Sequence, residues 1–143
     1  MSTVTYSVTD AVATITLDDG KVNVLSPTMQ QNIHAALDQA EQAAETGAVK
    51  SIVVAGNNRV LSAGFDLAIF GSGDAAAGFN MLRGGIELNL RLLRFPVPVV
   101  IAATGHAIAG GSFLLESGDH RVGSPTMRCQ EPTRIGAYET AGL

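Results

Sequence analysis

The sequence predicts an α/β domain, and three observations lead to this prediction. Residues 3–8 and 11–17 alternate apolar and polar side chains with a period of two and are rich in β-branched residues, which is typical of a hairpin. Two later segments repeat apolar residues at helical spacing. Two short apolar runs, 49–55 and 97–103, have the length of buried strands. Strands that alternate with helices favour right-handed crossovers and a mainly parallel sheet.

The first helix is predicted over residues 27–45. Ser26 followed by Pro27 is a helix-start signal, because serine caps the free N–H groups of the first turn and proline suits the first helical position. Thr46 and Gly47 end the segment. Its apolar stripe at helical spacing predicts the buried face: Met29, Ile33, Leu37, Ala40 and Ala44.

A second helix is predicted over residues 78–94, before Phe95 and Pro96. The preceding stretch, 71–77, is rich in glycine and alanine and is predicted to be a mobile loop. We expect one face of this helix to pack on the core: Phe79, Leu82, Ile86, Leu90 and Leu93.

The composition is that of a globular domain. The chain has 143 residues, of which 46% are hydrophobic and 15% charged, and a formal net charge of −4. Scattered cations and this negative balance argue against a nucleic-acid surface. The single cysteine, Cys129, fits a reducing compartment and is expected in the core. The N-terminus resembles no signal peptide and no apolar run reaches membrane-spanning length, so we expect a cytoplasmic protein without a membrane partner.

Two predicted strands are each followed by a glycine-containing turn. The first turn spans residues 61–67 and the second spans residues 105–113, which run into an apolar helix start. Exposed backbone N–H groups at such a turn can hold a phosphate or a developing oxyanion. The chain has neither the G-x-G-x-x-G dinucleotide fingerprint nor a G-x-x-x-x-G-K-[ST] phosphate loop, which weakens the phosphate interpretation. No spacing of His, Cys or Asp suggests a metal site.

At these turns the sequence resembles the enoyl-CoA hydratase/isomerase, or crotonase, superfamily. SAGFDL at residues 62–67 is similar to the family segment [FS]-[SA]-A-G-x-D-[LI]. PVPVVIAATGHA at 96–107, followed by AGGS at 109–112, is similar to the family strand P-V-I-A-A-V-N-G-x-A and its G-G-G turn. KVNVL at 21–25 matches the family stretch x-x-N-x-L. Three matches in the right order are more specific than any one of them.

The resemblance implies a crotonase (ClpP-like) fold built from repeated ββα units, with residues 1–143 as a single domain. It covers about residues 3–130, which corresponds to the N-terminal portion of a family member. The family's C-terminal helices complete the acyl pocket and form a trimer or a dimer of trimers. The chain ends at Leu143, where that region should begin, so we expect a truncated domain and a homotrimer or hexamer for a full-length form.

The resemblance also implies an acyl-CoA thioester as the ligand, with coenzyme A as part of the substrate and no separate cofactor. Its oxyanion hole would consist of the backbone N–H groups of Phe65 and Gly110. Glycine at position 110 lets the backbone approach a ligand closely. The residues implied to line the CoA pocket are Asn23, Val24, Leu25, Ala63, Asp66 and Leu67. Asp66 is also a candidate cap for a short helix that follows it.

The catalytic acids depart from the family pattern. Hydratases carry one glutamate shortly after the glycine turn, where this chain has Phe113, and Glu116 follows one helical turn later. The second glutamate belongs to a P-E-x-x-x-G segment, whereas this chain reads E-P-T-R-I-G from Glu131. Glu131 and Glu116 are therefore the candidate proton shuttles. Family isomerases can work with the second acid alone, which favours isomerisation over hydration. His106 occupies a position that varies in the family, which favours a structural role.

Three hypotheses remain open from the sequence. The first is an enoyl-CoA hydratase/isomerase family enzyme that stabilises a thioester enolate in a hole of two N–H groups. The second is a catalytically weak subunit that binds acyl-CoA or supports assembly. The third is an inactive truncated fragment. The acyl chain length is not indicated by any motif.

Overall fold

The computed structural model describes residues 3–130 and 137–138, and in that part of the chain two β-sheets pack with four helices. In chain order the elements are β1 (Val4–Thr9), β2 (Val12–Leu17), α1 (Pro27–Glu45), β3 (Ser51–Ala55), β4 (Val60–Ser62), α2 (Leu67–Phe70), α3 (Ala75–Leu93), β5 (Val99–Ala103), β6 (His106–Ile108), α4 (Gly110–Glu116), β7 (His120–Gly123), β8 (Cys129–Gln130) and β9 (Ala137–Tyr138). None of these helices is both long and apolar enough to cross a membrane.

The larger sheet has the strand order β1-β2-β3-β5-β7. The predicted hairpin, β1 and β2, is antiparallel, and the other neighbours pair in parallel. The hairpin turn consists of Asp10 and Ala11, both with positive φ, which matches the right-handed twist of the two strands. The mainly parallel sheet predicted from the alternation of strands and helices is therefore confirmed.

The smaller sheet has the order β4-β6-β8-β9 and was not indicated by the sequence pattern. Its first three strands follow β3, β5 and β7 along the chain and pair in parallel with one another. Strands of two or three residues are too short to show a period of two. The succession of one strand in each sheet followed by helix confirms the repeated ββα units of the predicted fold class.

Helix α1 lies where the sequence places it. The Ser26 hydroxyl accepts a hydrogen bond of 3.2 Å from the backbone N–H of Met29, and Pro27 occupies the first turn. The predicted stripe is buried from Met29 to Ala40, with Ala44 half-buried. The amide of Gln30, which is also buried, donates to the carbonyls of Leu25 and Met81 at 2.9 Å each. Gln30 thus joins α1 to α3.

Helix α3 departs from the prediction in two ways. It begins at Ala75, because the Asp74 carboxylate caps it by accepting from the N–H of Ala77 at 3.0 Å, so residues 75–77 of the predicted mobile loop are helical. Its buried face is also different: the predicted stripe, including Phe79 and Ile86, is exposed. Helical spacing alone allows two adjacent stripes, and the one that faces the protein carries the smaller side chains. The buried residues are Gly78, Met81, Gly85, Leu88 and Leu92.

Candidate functional site

The structure brings the two glycine turns together. Strands β4 and β6 are parallel neighbours, so the turns that follow them lie at the same edge of the smaller sheet. A Cβ atom placed on Gly64 would lie 2.8 Å from the backbone nitrogen of Gly110 and 2.9 Å from the Cβ of Ala109. Gly64 has a φ of +90°, which side chains rarely adopt. Only glycine allows the two turns to approach this closely.

Each turn presents a backbone N–H group at this contact. Within the described residues, neither the N–H of Phe65 nor that of Gly110 has a hydrogen-bond acceptor. Gly110 is the first residue of α4, where intrahelical acceptors are missing by geometry. Ala109 precedes it with φ 52° and ψ −120°, a strained conformation for a residue with a side chain. Free donors beside a strained backbone are typical of a functional turn.

The first turn is fixed by hydrogen bonds to the segment after the hairpin. The Ser62 hydroxyl donates to the carbonyl of Asn23 at 2.7 Å and accepts from the N–H of Gly64 at 3.0 Å. The N–H of Leu25 donates to the carbonyl of Gly64 at 2.7 Å, and the N–H of Ala63 donates to the carbonyl of Val22 at 2.9 Å. These bonds determine where the N–H of Phe65 points.

Asn23, a predicted CoA-pocket residue, has a structural task. It is fully buried with φ 51°, and its amide donates to the carbonyl of Leu17 at 2.9 Å. Its side-chain oxygen accepts from the N–H of Asp19 at 2.9 Å. Because Leu25 is buried as well, the side chains of residues 21–25 that reach the surface are those of Lys21, Val22 and Val24.

A cleft of about 460 Å³ lies beside the two turns. The apolar part of its lining, called the apolar wall below, includes Val22, Ala63 and Ile108, and the polar part includes Arg59 and His106. The remaining lining residues are Asn58, Val60, Thr104, Gly105, Thr126 and Met127. Of the residues predicted to contact CoA, Ala63 lines this cleft. Arg59 and His106 were not predicted as site residues, although Arg59 lies shortly before the first turn and His106 lies within the second.

Asp66 and Leu67 lie at the start of α2. The Asp66 carboxylate accepts from the N–H of Ala68 at 2.9 Å, so it caps this short helix as expected for its alternative role. Leu67 is 78% exposed and points away from the core. Neither residue lines the cleft in the described part of the chain.

The ring of Phe65 fills a slot between two helices. A Cβ on Gly110 would lie 2.9 Å from this ring, and one on Gly85 of α3 would lie closer still, against the Cε1 atom of the ring. The ring also meets Phe70 edge to face, with centroids 6.4 Å apart. The side chain is therefore wedged between glycines, which holds the backbone of residue 65 in place.

Of the two candidate acids, Glu116 lies apart from the N–H of Gly110. Glu116 is exposed at the last residue of α4, about 9 Å along the helix axis from Gly110 at a rise of about 1.5 Å per residue. Phe113 stands one turn nearer and is 44% exposed. Glu131 lies outside the described residues. Cys129 is buried, in agreement with its expected place in the core.

Comparison with known proteins identifies relatives of one kind. The profile of the family described as enoyl-CoA hydratase/isomerase matches residues 7–143. A "Probable enoyl-CoA hydratase" of Bacillus subtilis is 32% identical over 112 residues, which are 78% of this chain and 42% of that protein. The chain thus spans less than half the length of this relative, and the prediction that it matches part of a family member is confirmed.

Solved structures agree in sequence and in fold. An enoyl-CoA hydratase from Mycobacterium ulcerans is 55% identical, with a TM-score of 0.80 over 89% of this chain and 54% of that one. A Mycobacterium tuberculosis structure described as an enoyl-CoA isomerase is 48% identical, with a TM-score of 0.81 over 90% of this chain and 54% of that one. An enoyl-CoA hydratase from Thermoplasma volcanium, 22% identical, shares the fold with a TM-score of 0.83 over 92% and 52% of the two chains.

Proposed function

Because the chain belongs to the enoyl-CoA hydratase/isomerase family, we propose that it binds an acyl-CoA thioester and stabilises the enolate of that thioester. The contact between Gly64 and Gly110 is the observation that carries this proposal. It brings the turn that carries Phe65 against the backbone nitrogen of Gly110, and neither N–H group has an acceptor in the described residues. A thioester carbonyl oxygen is the acceptor that this arrangement suits.

The chemistry follows from where charge develops. Removal of a proton from the carbon next to the thioester moves an electron pair onto the carbonyl oxygen. Two fixed N–H donors stabilise that oxygen, and loss of one such donor typically lowers the rate by about 100- to 1,000-fold. Because the donors belong to a backbone held by Ser62 and by the Phe65 ring, little reorganisation accompanies the reaction.

The residues that line the cleft support one orientation of coenzyme A in it. The apolar wall of Val22, Ala63 and Ile108 suits the chain that leads to the thioester, and Arg59 suits the phosphate groups. Of the residues predicted to line the CoA pocket, Ala63 contributes directly, and Val22 next to Asn23 adds to the same apolar wall. Asn23 and Leu25 contribute by holding the turn.

Among the reactions that pass through a thioester enolate, a shift of the double bond agrees best with the acidic residues of this chain. Phe113 stands at the position where hydratases carry a water-activating glutamate, and a phenyl ring cannot take up a proton. One acid suffices for isomerisation, because it removes a proton from C2 of a 3-enoyl thioester and returns it at C4. Glu131 is our candidate for this role, and Glu116 is the alternative.

A paired substitution tests the proposal. We expect Glu131→Gln to lower the rate of conversion of a 3-enoyl-CoA to the 2-enoyl-CoA by about 100-fold or more, and Glu116→Gln to change it by less than about twofold. Binding of acyl-CoA, measured by calorimetry, should be the same for both variants. A reversed order of the two rates would assign the shuttle to Glu116.

A catalytically weak acyl-CoA-binding subunit is the second candidate, and Phe113 is the observation that favours it. The same measurement separates the two functions. Binding of acyl-CoA without turnover in the unsubstituted chain would establish the binding subunit and exclude the enzyme. Absence of binding, while a cooperative unfolding transition is retained, would exclude both.

A further inference from the structure

His106 joins two strands of the smaller sheet through its side chain. The backbone N–H of Arg128 donates to Nδ1 of the imidazole at 2.9 Å. The carbonyl of the same Arg128 accepts from the N–H of Ala107 at 2.9 Å. Arg128 is therefore held at both its N–H and its carbonyl, directly before β8 begins at Cys129. A side chain supplies the acceptor at the point where the β6–β8 ladder starts.

The direction of this hydrogen bond fixes the state of the ring. A backbone N–H can only donate, so Nδ1 must carry a lone pair, and the imidazole is neutral with its proton on Nε2. Protonation would place a hydrogen on Nδ1 and turn two donors toward each other. Histidine is the side chain that changes charge between about pH 5 and about pH 8.

The described residues that line the cleft with His106 include no acid that would hold a charged ring in place. Among the described residues that line the cleft with His106, Arg59 is the charged one. The backbone carbonyl of Arg59 accepts from the N–H of His106 at 3.0 Å. Directly before β8 the charged neighbour is Arg128, and on α4 it is Glu116 at the far end of the helix. A protonated His106 would thus lose its hydrogen bond to the N–H of Arg128.

We propose that the neutral imidazole of His106 is a clasp that holds the start of β8 against β6, and that protonation of this ring releases it. Thr126 and Met127, which line the cleft, directly precede the clasped residue, so release would open that wall. The effect on an acyl-CoA ligand rests on the proposed function. The clasp itself does not, and its test needs no ligand.

Cys129 provides the probe, because the single cysteine of the chain is buried immediately after the clasped residue. The rate at which dithiodipyridine labels its thiol reports opening of β8. At about pH 8 we expect His106→Leu to raise this rate about fivefold or more, the effect of losing one hydrogen bond. His106→Asn should label at the wild-type rate, because its Oδ1 atom can accept the same bond.

The pH dependence gives a second arm that does not require the leucine variant to fold. Lowering the pH to about 5 should make the wild type label several-fold faster than His106→Asn, whereas the two rates agree at about pH 8. The two proteins are compared at the same pH, so the effect of pH on the thiolate fraction of Cys129 cancels, because both carry this cysteine. A pH-independent ratio, or an asparagine variant that labels as fast as the leucine one, would overturn the proposal. If acyl-CoA does not bind but the labelling pattern appears, the clasp stands without the proposed function.

Discussion

Phe65 contacts residues that lie far from it in the sequence. Its ring lies against Gly85 in the middle of α3 and Gly110 at the start of α4, while its N–H has no acceptor in the described part of the chain. Glycine in a helix interior costs about 1 kcal/mol relative to alanine. At Gly85 that cost is offset, because only the absent side chain leaves room for the ring.

Substitution at Gly85 tests this arrangement. We expect Gly85→Ala to destabilise the fold by about 1–3 kcal/mol, because the added Cβ would meet the ring of Phe65, 2.6 Å from its Cζ atom. In a Phe65→Ala background the same change should be neutral or stabilising by about 1 kcal/mol, the usual gain of alanine in a helix. Urea unfolding of the four proteins in this double-mutant cycle gives the coupling free energy.

The double variant decides the interpretation. If Gly85→Ala costs the same in both backgrounds, the glycine serves something other than the ring of Phe65. Activity adds a second measurement, because a displaced ring would move the N–H of Phe65 away from the thioester while the N–H itself is retained.

Helices α1 and α3 show what a sequence pattern can and cannot decide at the scale of an element. The stripe from Met29 to Ala40 is flanked by polar residues, so its buried face could be predicted. On α3 two apolar stripes lie one residue apart, and the pattern favoured the bulkier one. The buried stripe contains Gly85, whose role depends on a ring twenty positions earlier in the chain. No local pattern carries that information.

A matched pair on α3 tests which face packs inward. Leu88 is fully buried and Ile86 is 57% exposed, two positions apart on the same helix. We expect Leu88→Ala to lower the free energy of unfolding by about 2–5 kcal/mol. Ile86→Ala should change it by less than about 1 kcal/mol, because its side chain already contacts solvent. Comparable losses in the free energy of unfolding for the two variants would mean that the stripe that contains Ile86 is buried and does not face solvent.

At the scale of the whole molecule, the glycine motifs and the parallel sheet could be predicted, and the second sheet could not. Its strands are two or three residues long, so they are defined by pairing with one another and not by their own sequence. The cleft between the turns depends on that sheet. Ala63 was therefore predicted from a motif, whereas Arg59 and His106 emerged as lining residues once β4 and β6 were paired.

The contact between α1 and α3 also makes the stability of the whole chain depend on pH. Arg91 of α3 donates to Nδ1 of His34 at 3.2 Å and to the carboxylates of Asp38 and Glu41 at 2.6 and 2.8 Å. Burial first, and then the charge of Arg91, lower the pKa of His34 below its ordinary value of 6.5, against an opposing effect of Asp38 and Glu87. The folded chain therefore resists protonation of a ring that the unfolded chain protonates readily.

This difference fixes the sign of the pH effect. Since the unfolded chain takes up the proton first, the contribution of a neutral His34 is present above pH 6.5 and is lost as the pH falls through the lowered pKa of the folded state. We expect the melting temperature to fall more steeply for the wild type than for His34→Asn between about pH 7 and about pH 5. Asparagine is the matched control, because it accepts the bond from Arg91 and does not titrate. Parallel melting curves across that range would show that another group, and not the contact of His34 with Arg91, governs the loss of stability in acid.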